Sequence, residues 1–168
     1  MDIVQIQNLK LATALTEKIW AANKYDVMAK GYQYYKFCSS YSKSMTSFLD
    51  TQLMLQNIRL MRGKPYNIDA YVNTMEHMWG YIKKEATTEE KETFHHYLNR
   101  SKHLPYSTFY QWNGSLKQAY CFFHQLLQKY PNNYLKHSGI LFPEKYSAEI
   151  TNKEGIFVIR NDRVWKII

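Results

Sequence analysis

Apolar residues recurring at spacings of three and four give the clearest pattern in the chain: Phe109, Trp112, Leu116, Ala119, Phe123, Leu126 and Tyr130. They predict a core helix, introduced by Pro105 and Ser107 and closed by Pro131-Asn-Asn. The same period in Leu11, Leu15, Ile19 and Ala22 predicts a first helical segment over about residues 3–30, with room for a break. It fades near Asp26 and meets a bend at Gly31. The aromatic run Tyr32-Gln-Tyr-Tyr-Lys-Phe-Cys reads as a short helix packed on the first. Between Met45 and Met61, Leu49, Leu53 and Leu60 form one row and Met54, Ile58 and Met61 another, which predicts a helix buried on more than one side. Gly63 and Pro65 end it, and Arg59, Arg62 and Lys64 put positive charge where a C-terminal helix dipole favours it.

Residues 68–84 predict a further helix with two stripes. Val72, Met75, Trp79 and Ile82 form the apolar one, and Asn73, His77 and Tyr81, at i, i+4 and i+8, form a polar one beside it. Gly80 lies between His77 and Tyr81; in a helix it costs roughly 1 kcal/mol relative to Ala, which is easiest to rationalise where a ligand or another backbone comes close. Thr87 with Glu90 reads as a capping box opening a helix over about residues 88–100. In the tail the pattern changes. Gly155-Ile-Phe-Val-Ile-Arg, Asn161-Asp162 and Arg-Val-Trp-Lys-Ile-Ile168 predict two short strands around a turn. The expected fold class is all-α: a single multi-helix domain over residues 1–150, with a short C-terminal β-hairpin at 151–168 packed on it.

Composition narrows this picture. At 168 residues the chain suits one domain with a real core. Hydrophobic residues at 45% and charged residues at 21% place it among folded globular chains rather than disordered ones. No run of about 18 apolar residues predicts a membrane span. The N-terminus lacks the basic start and apolar core of a signal peptide, so a cytoplasmic location is expected. Cys38 and Cys121 stand among aromatic residues, outside any CxxC or iron–sulfur spacing, and read as buried thiols. A net charge of +8 and an aromatic content of 16% suit nucleic acid, since Lys and Arg neutralise phosphates while rings stack on bases. A ring-filled helical core beneath a solvated lysine face explains the same numbers, and no basic run reaches the density of a nucleic-acid patch.

Three segments in order resemble the YbgA-like family, a bacterial domain of unknown function. The first is Asn23-Lys24-Tyr25-Asp-Val-Met-Ala29 with Tyr35 downstream. The second and strongest is the block from Asn73 through His77, Gly80-Tyr81 and the Thr87 helix start; the third runs from Leu126 through Tyr130-Pro131 and Tyr134-Leu135 to Phe142-Pro143. Together they span roughly residues 17–145. Lys24, Asn73, His77, Tyr81 and Arg100 are the polar residues that match. The chain departs from relatives where they carry histidines, here Tyr71 and the neighbourhood of Trp20, and near Ser138, where a Gln is usual. Such domains occur alone or joined to a cysteine-rich domain similar to thiouracil desulfidases, and two cysteines could not supply that partner's cluster. The resemblance thus implies a link to modified nucleobases or nucleic acid by association only.

The candidate site residues follow from both lines of reasoning. His77 and Tyr81 are the candidates for acid/base or orienting roles, because His titrates near neutral pH and Tyr donates a hydrogen bond. Lys24, Asn73, Gly80 and Arg100 are the candidates for ligand binding, with Tyr81 or Trp79 stacking. His95, His96 and His103 do not make a metal site: adjacent helical residues point about 100° apart and no HExxH spacing occurs. No GxSxG, P-loop or GxGxxG motif is present, and no cofactor is expected. The preferred expectation is an accessory module binding nucleic acid or a nucleobase-containing ligand. The alternatives are an enzyme acting on a small modified nucleobase with His77 as acid/base, and a protein-interaction module, with the tail either an edge for homodimer pairing or a lid on the helical core.

Overall fold

The computed structural model describes residues 2–143 and 149–168. Strand β1 (Ile3–Gln5) precedes helix α1 (Leu9–Lys30), whose N-cap Asn8 accepts a hydrogen bond from the Leu11 amide at 3.0 Å. The first helix therefore starts later than the apolar period alone predicts. Ile3, Val4 and Gln5 are instead paired with the far end of the chain. Gly31 separates α1 from α2 (Tyr32–Ser42), which packs back on α1 through a Trp20–Tyr35 ring contact. Helix α3 (Phe48–Arg62), capped by Ser47, lies against both. Its buried row is Thr51, Met54, Leu55 and Ile58, whereas Leu49, Leu53 and Leu60 face solvent. The expectation of burial on more than one side is corrected here, because α1 and α2 cover one side of α3 only.

A two-residue strand, β2 (Tyr66–Asn67), leads into α4 (Ile68–Trp79). Val72, Met75, Trp79 and Ile82 are all buried, as the apolar stripe requires, but the helix stops at Trp79 and residues 80–85 form turns. Helix α5 (Thr88–Lys102) opens on the anticipated capping box: Thr87 Oγ1 accepts from the Glu90 amide, and Glu90 Oε2 accepts from the Thr87 amide at 2.8 Å. Strand β3 (Thr108–Phe109) pairs antiparallel with β2. Phe109 is thus a strand residue rather than the start of the core helix. Helix α6 (Gly114–Lys129) begins five residues further on, where Gly114 takes a φ of +51° that favours glycine.

Glu90 also receives Lys129 Nζ at 2.7 Å and the Tyr130 hydroxyl at 2.9 Å, so α5 and the end of α6 are tied at one carboxylate. Lys129, together with the Thr87 amide, holds its pKa down to about 2 from an ordinary 4.5. A depressed carboxylate contributes stability that is fully present above the ordinary value and disappears as pH falls toward the folded one. Glu90→Gln is therefore expected to flatten the loss of stability between pH 5 and pH 2, as read by urea midpoints. An unchanged acid limb would show that the tie does not form.

The tail supplies β4 (Glu149–Asn152), β5 (Gly155–Arg160) and β6 (Arg163–Ile167). The predicted turn is present, with Asn161 and Asp162 at φ of 52° and 57°, the backbone of a tight two-residue hairpin. The hairpin is part of a larger antiparallel sheet of order β1-β6-β5-β4. The fold is accordingly mostly helical with a C-terminal hairpin, and the purely all-α class is corrected by this sheet. Its sequence signal was weak at both margins, since β1 and β4 are only three and four residues long.

Two apolar clusters hold the molecule. One joins α4, α5, α6 and the last turns of α1, around Tyr71, Phe94 and Phe123. The other joins the first part of α1 to α3, to Cys38 of α2, and to Phe157 and Val164 of the sheet. Cys38 is buried as expected, which pushes its thiol up to about 11, while Cys121 is exposed, against the expectation that it too is buried. Helix α1 belongs to both clusters, and the polar groups near its C-terminus lie where they meet.

Candidate functional site

At that junction α1 carries Asp26 and Lys30 one turn apart, both buried. Lys30 Nζ stands 3.6 Å from Asp26 Oδ2, donates to the Arg62 carbonyl at the end of α3, and lies 4.5 Å above the Tyr66 ring. The Tyr66 hydroxyl donates to Asp26 Oδ1. Burial holds the Lys30 pKa below its usual range; Asp26 pulls it up and Arg62 pushes it down. An ammonium needs three acceptors or an equivalent to be stable away from water. Carboxylate, carbonyl and ring face supply them.

Lys30 forms the wall between two clefts. The first, of about 830 Å³, opens between the α1–α2 junction, the segment entering β2, and the solvent face of α4. Tyr34, Lys64, Asn67, Asn73 and His77 line it together with Lys30. Lys64 Nζ is 5.0 Å from the Tyr34 ring centroid. Asn67 is fixed as the N-cap of α4, accepting from the Ala70 amide at 3.0 Å. Asn73 and His77, one turn apart on α4, are exposed and reach the cleft from the other side. The second cleft, of about 390 Å³, lies behind Lys30 and is lined by Asp26, Arg59, Arg62, Tyr66 and Trp112 among others.

A third polar cluster draws Tyr81 and Lys24 away from the first cleft. Because the regular α-helix ends at Trp79 and gives way to turns, Tyr81 does not continue the Asn73–His77 stripe. It stacks on Tyr134, with ring centroids 5.0 Å apart, and accepts a hydrogen bond from the Tyr25 hydroxyl at 3.1 Å. Lys24 donates to the Tyr134 hydroxyl, and its Nζ lies 4.5 Å from that ring's centroid. Burial lowers the Lys24 pKa, and burial with the Tyr81 hydroxyl raises that of Tyr25. Gly80 caps α4 on the surface; a Cβ there would meet the His77 carbonyl at 3.1 Å. Arg100 is exposed near the end of α5 and lines neither cleft. Trp79 is buried and stacked on Phe94 at 4.8 Å, so it offers no face for a ligand.

The structure thus brings Asn73 and His77 together, and Lys24 with Tyr81, but at different places. Sequence reading missed Lys30, Tyr34, Lys64 and Asn67. One signal was available: Asp26 and Lys30 stand at i, i+4 where the apolar period of α1 fades, as a buried ion pair makes it do. His95 meets Glu76 at 3.2 Å and the edges of Trp79 and Phe94. Among the described residues, no group of three or more His, Cys, Asp or Glu is placed to hold a metal ion.

Residues 24–144 match the family model described as protein of unknown function (DUF1722). The chain belongs to the DUF1722 family. The DUF1722 segment contains all residues named for both clefts and for the tyrosine cluster, while β1 and β4 to β6 lie outside it. No curated protein and no solved structure gives a significant match. No helix among the described residues is long and apolar enough to cross a membrane.

Proposed function

We propose that this protein, a YbgA-like member of the DUF1722 family, is a cytoplasmic accessory module whose first cleft binds a nucleobase-containing ligand, free or within a nucleic acid strand. The observation that carries this reading is the convergence of Asn73 and His77 with Lys30, Lys64 and Tyr34 around one cleft of about 830 Å³. An amide and an imidazole offer the donors and acceptors that a base edge needs. Tyr34 and the exposed Tyr32 offer ring faces, and Lys64 a cation within reach of phosphate. The volume lies within the ordinary range of small-ligand sites. Lys24, Tyr81 and Arg100 are not partners of Asn73 and His77 in this proposal, since they do not line this cleft.

A role for Tyr81 in acid/base chemistry beside His77 receives no support from its bonds to Tyr25 and Tyr134, so binding is preferred to catalysis. The test is anisotropy with labelled single-stranded RNA, transfer RNA and duplex DNA at two salt concentrations, with calorimetry on nucleosides. Binding at micromolar level is expected, weakened roughly tenfold, or about 1.4 kcal/mol, by Asn73→Ala or Lys64→Ala. Absence of binding to every probe at low salt would overturn the reading.

A further inference from the structure

The second cleft is separate from the first, and its chemistry differs. Among the described residues that line it, three side chains are cationic, Lys30, Arg59 and Arg62, and one is a carboxylate, Asp26. That carboxylate is already engaged by the Tyr66 hydroxyl and by Lys30. The cations come from two helices. Arg59 and Arg62 stand at i, i+3 on the last turn of α3, so they share a face of it, and Lys30 stands on the last turn of α1. Helix dipoles favour cations at such ends, which accounts for their residue type. It does not account for a cavity in front of them with a buried lysine in its wall.

Two of the three cations on this wall are held by contacts from other elements. Lys30 is fixed by Asp26, the Arg62 carbonyl and the Tyr66 ring. Arg59 is fixed by a two-point bond to Asp162, at 2.9 and 2.8 Å, which anchors the turn of the C-terminal hairpin to α3. Gly63 and Gly139 line the same space, where the absence of side chains leaves room. Guanidinium groups held beside a buried ammonium are the pattern by which tetrahedral oxyanions are recognised. The volume, about 390 Å³, is that of a small-metabolite site and not of a groove for a polymer.

We propose that this second cleft is a binding site for the phosphate group of a small phosphomonoester, with Arg62 meeting its oxygens, and with Lys30 and the Asp162-bound Arg59 setting the positive wall around them. The inference stands apart from the reading of the first cleft and survives if that reading fails.

The test is calorimetry with inorganic phosphate, pyrophosphate and phenyl phosphate, with phenol as the uncharged control and ionic strength held constant. Phosphate-bearing probes are expected to bind and phenol is not. Arg62→Gln is expected to weaken them roughly tenfold, whereas Arg100→Gln on the α5 surface leaves them unchanged. Arg59→Lys, which keeps the charge but loses the two-point bond to Asp162 that fixes it, provides a second variant with a smaller loss of affinity. A melting curve for each variant separates lost binding from lost fold. No binding of any phosphate probe at millimolar concentration would overturn the proposal. So would an Arg100→Gln variant that loses as much affinity as Arg62→Gln, since binding would then follow net charge alone.

Discussion

Asp26→Ala is expected to destabilise the protein by about 3–5 kcal/mol, the cost of leaving a buried charge without its partner. The side chains of Asp26 and Lys30 are each only 6% exposed, so solvent screens the pair weakly. Loss of the carboxylate strips Lys30 of its counter-charge and leaves the Tyr66 hydroxyl without its acceptor. The Arg62 carbonyl and the Tyr66 ring remain, but neither neutralises an ammonium. A pair is not the same as its parts, however. Replacing both members by apolar residues of similar size, Asp26→Leu with Lys30→Met, is expected to recover most of the loss, because the desolvation cost of both charges disappears with them. Urea unfolding of Asp26→Leu, of Lys30→Met and of the double variant completes the cycle. If Asp26→Ala costs less than about 1 kcal/mol, the pair behaves as an exposed ion pair and the wall between the clefts is wet.

That wall also shows what the sequence could and could not reveal. The apolar stripe of α4, the capping box at Thr87 and the hairpin turn at Asn161-Asp162 were legible because each rests on neighbours within a few residues. The errors share the opposite property. Ile3–Gln5 forms a strand because Trp165–Ile167 is available to pair with it, and Phe109 is a strand residue because Tyr66 lies opposite. Leu49, Leu53 and Leu60 share a helical face, but nothing in the sequence says that only one side of α3 is covered.

The candidate site divided in the same way. Asn73 and His77 share a cleft because both sit inside one regular helix, and local periodicity places them correctly. Tyr81 falls past the end of that helix, so a count of residues puts it on the stripe and the chain does not. Lys30, Lys64 and Tyr34 join the cleft from segments whose apposition depends on the α1–α2 bend at Gly31. A Cβ at Gly31 would come within 2.9 Å of the Gln33 and Tyr34 side chains, so this tight bend is part of what shapes the cleft.

Phe157→Ala is the second large effect expected, about 3–5 kcal/mol for removing a fully buried aromatic side chain. Phe157 stands in register between Ile150 and Lys166, on the sheet face shared with Ile159 and Val164, and that face packs on the cluster of Leu15, Ile19, Met54 and Ile58. It is therefore the main apolar anchor of a sheet that the DUF1722 segment does not include. Contacts of different kinds attach the hairpin to the helices: this buried ring with Val164 beside it, and the exposed Arg59–Asp162 and Arg163–Gln52 pairs. An exposed ion pair contributes at most about 1 kcal/mol, so the ring decides whether the sheet stays docked. The loss should appear as a lower urea midpoint. Affinity for ligands of the first cleft should be unchanged in the folded variant, because none of the described residues lining that cleft comes from the four-stranded sheet. The second cleft provides the contrast: undocking the hairpin releases Asp162 from Arg59 and with it the fixed position of one cation, so phosphate affinity should fall together with stability. If Phe157→Ala left the unfolding free energy within about 1 kcal/mol of the parent, the sheet would not be anchored through this ring.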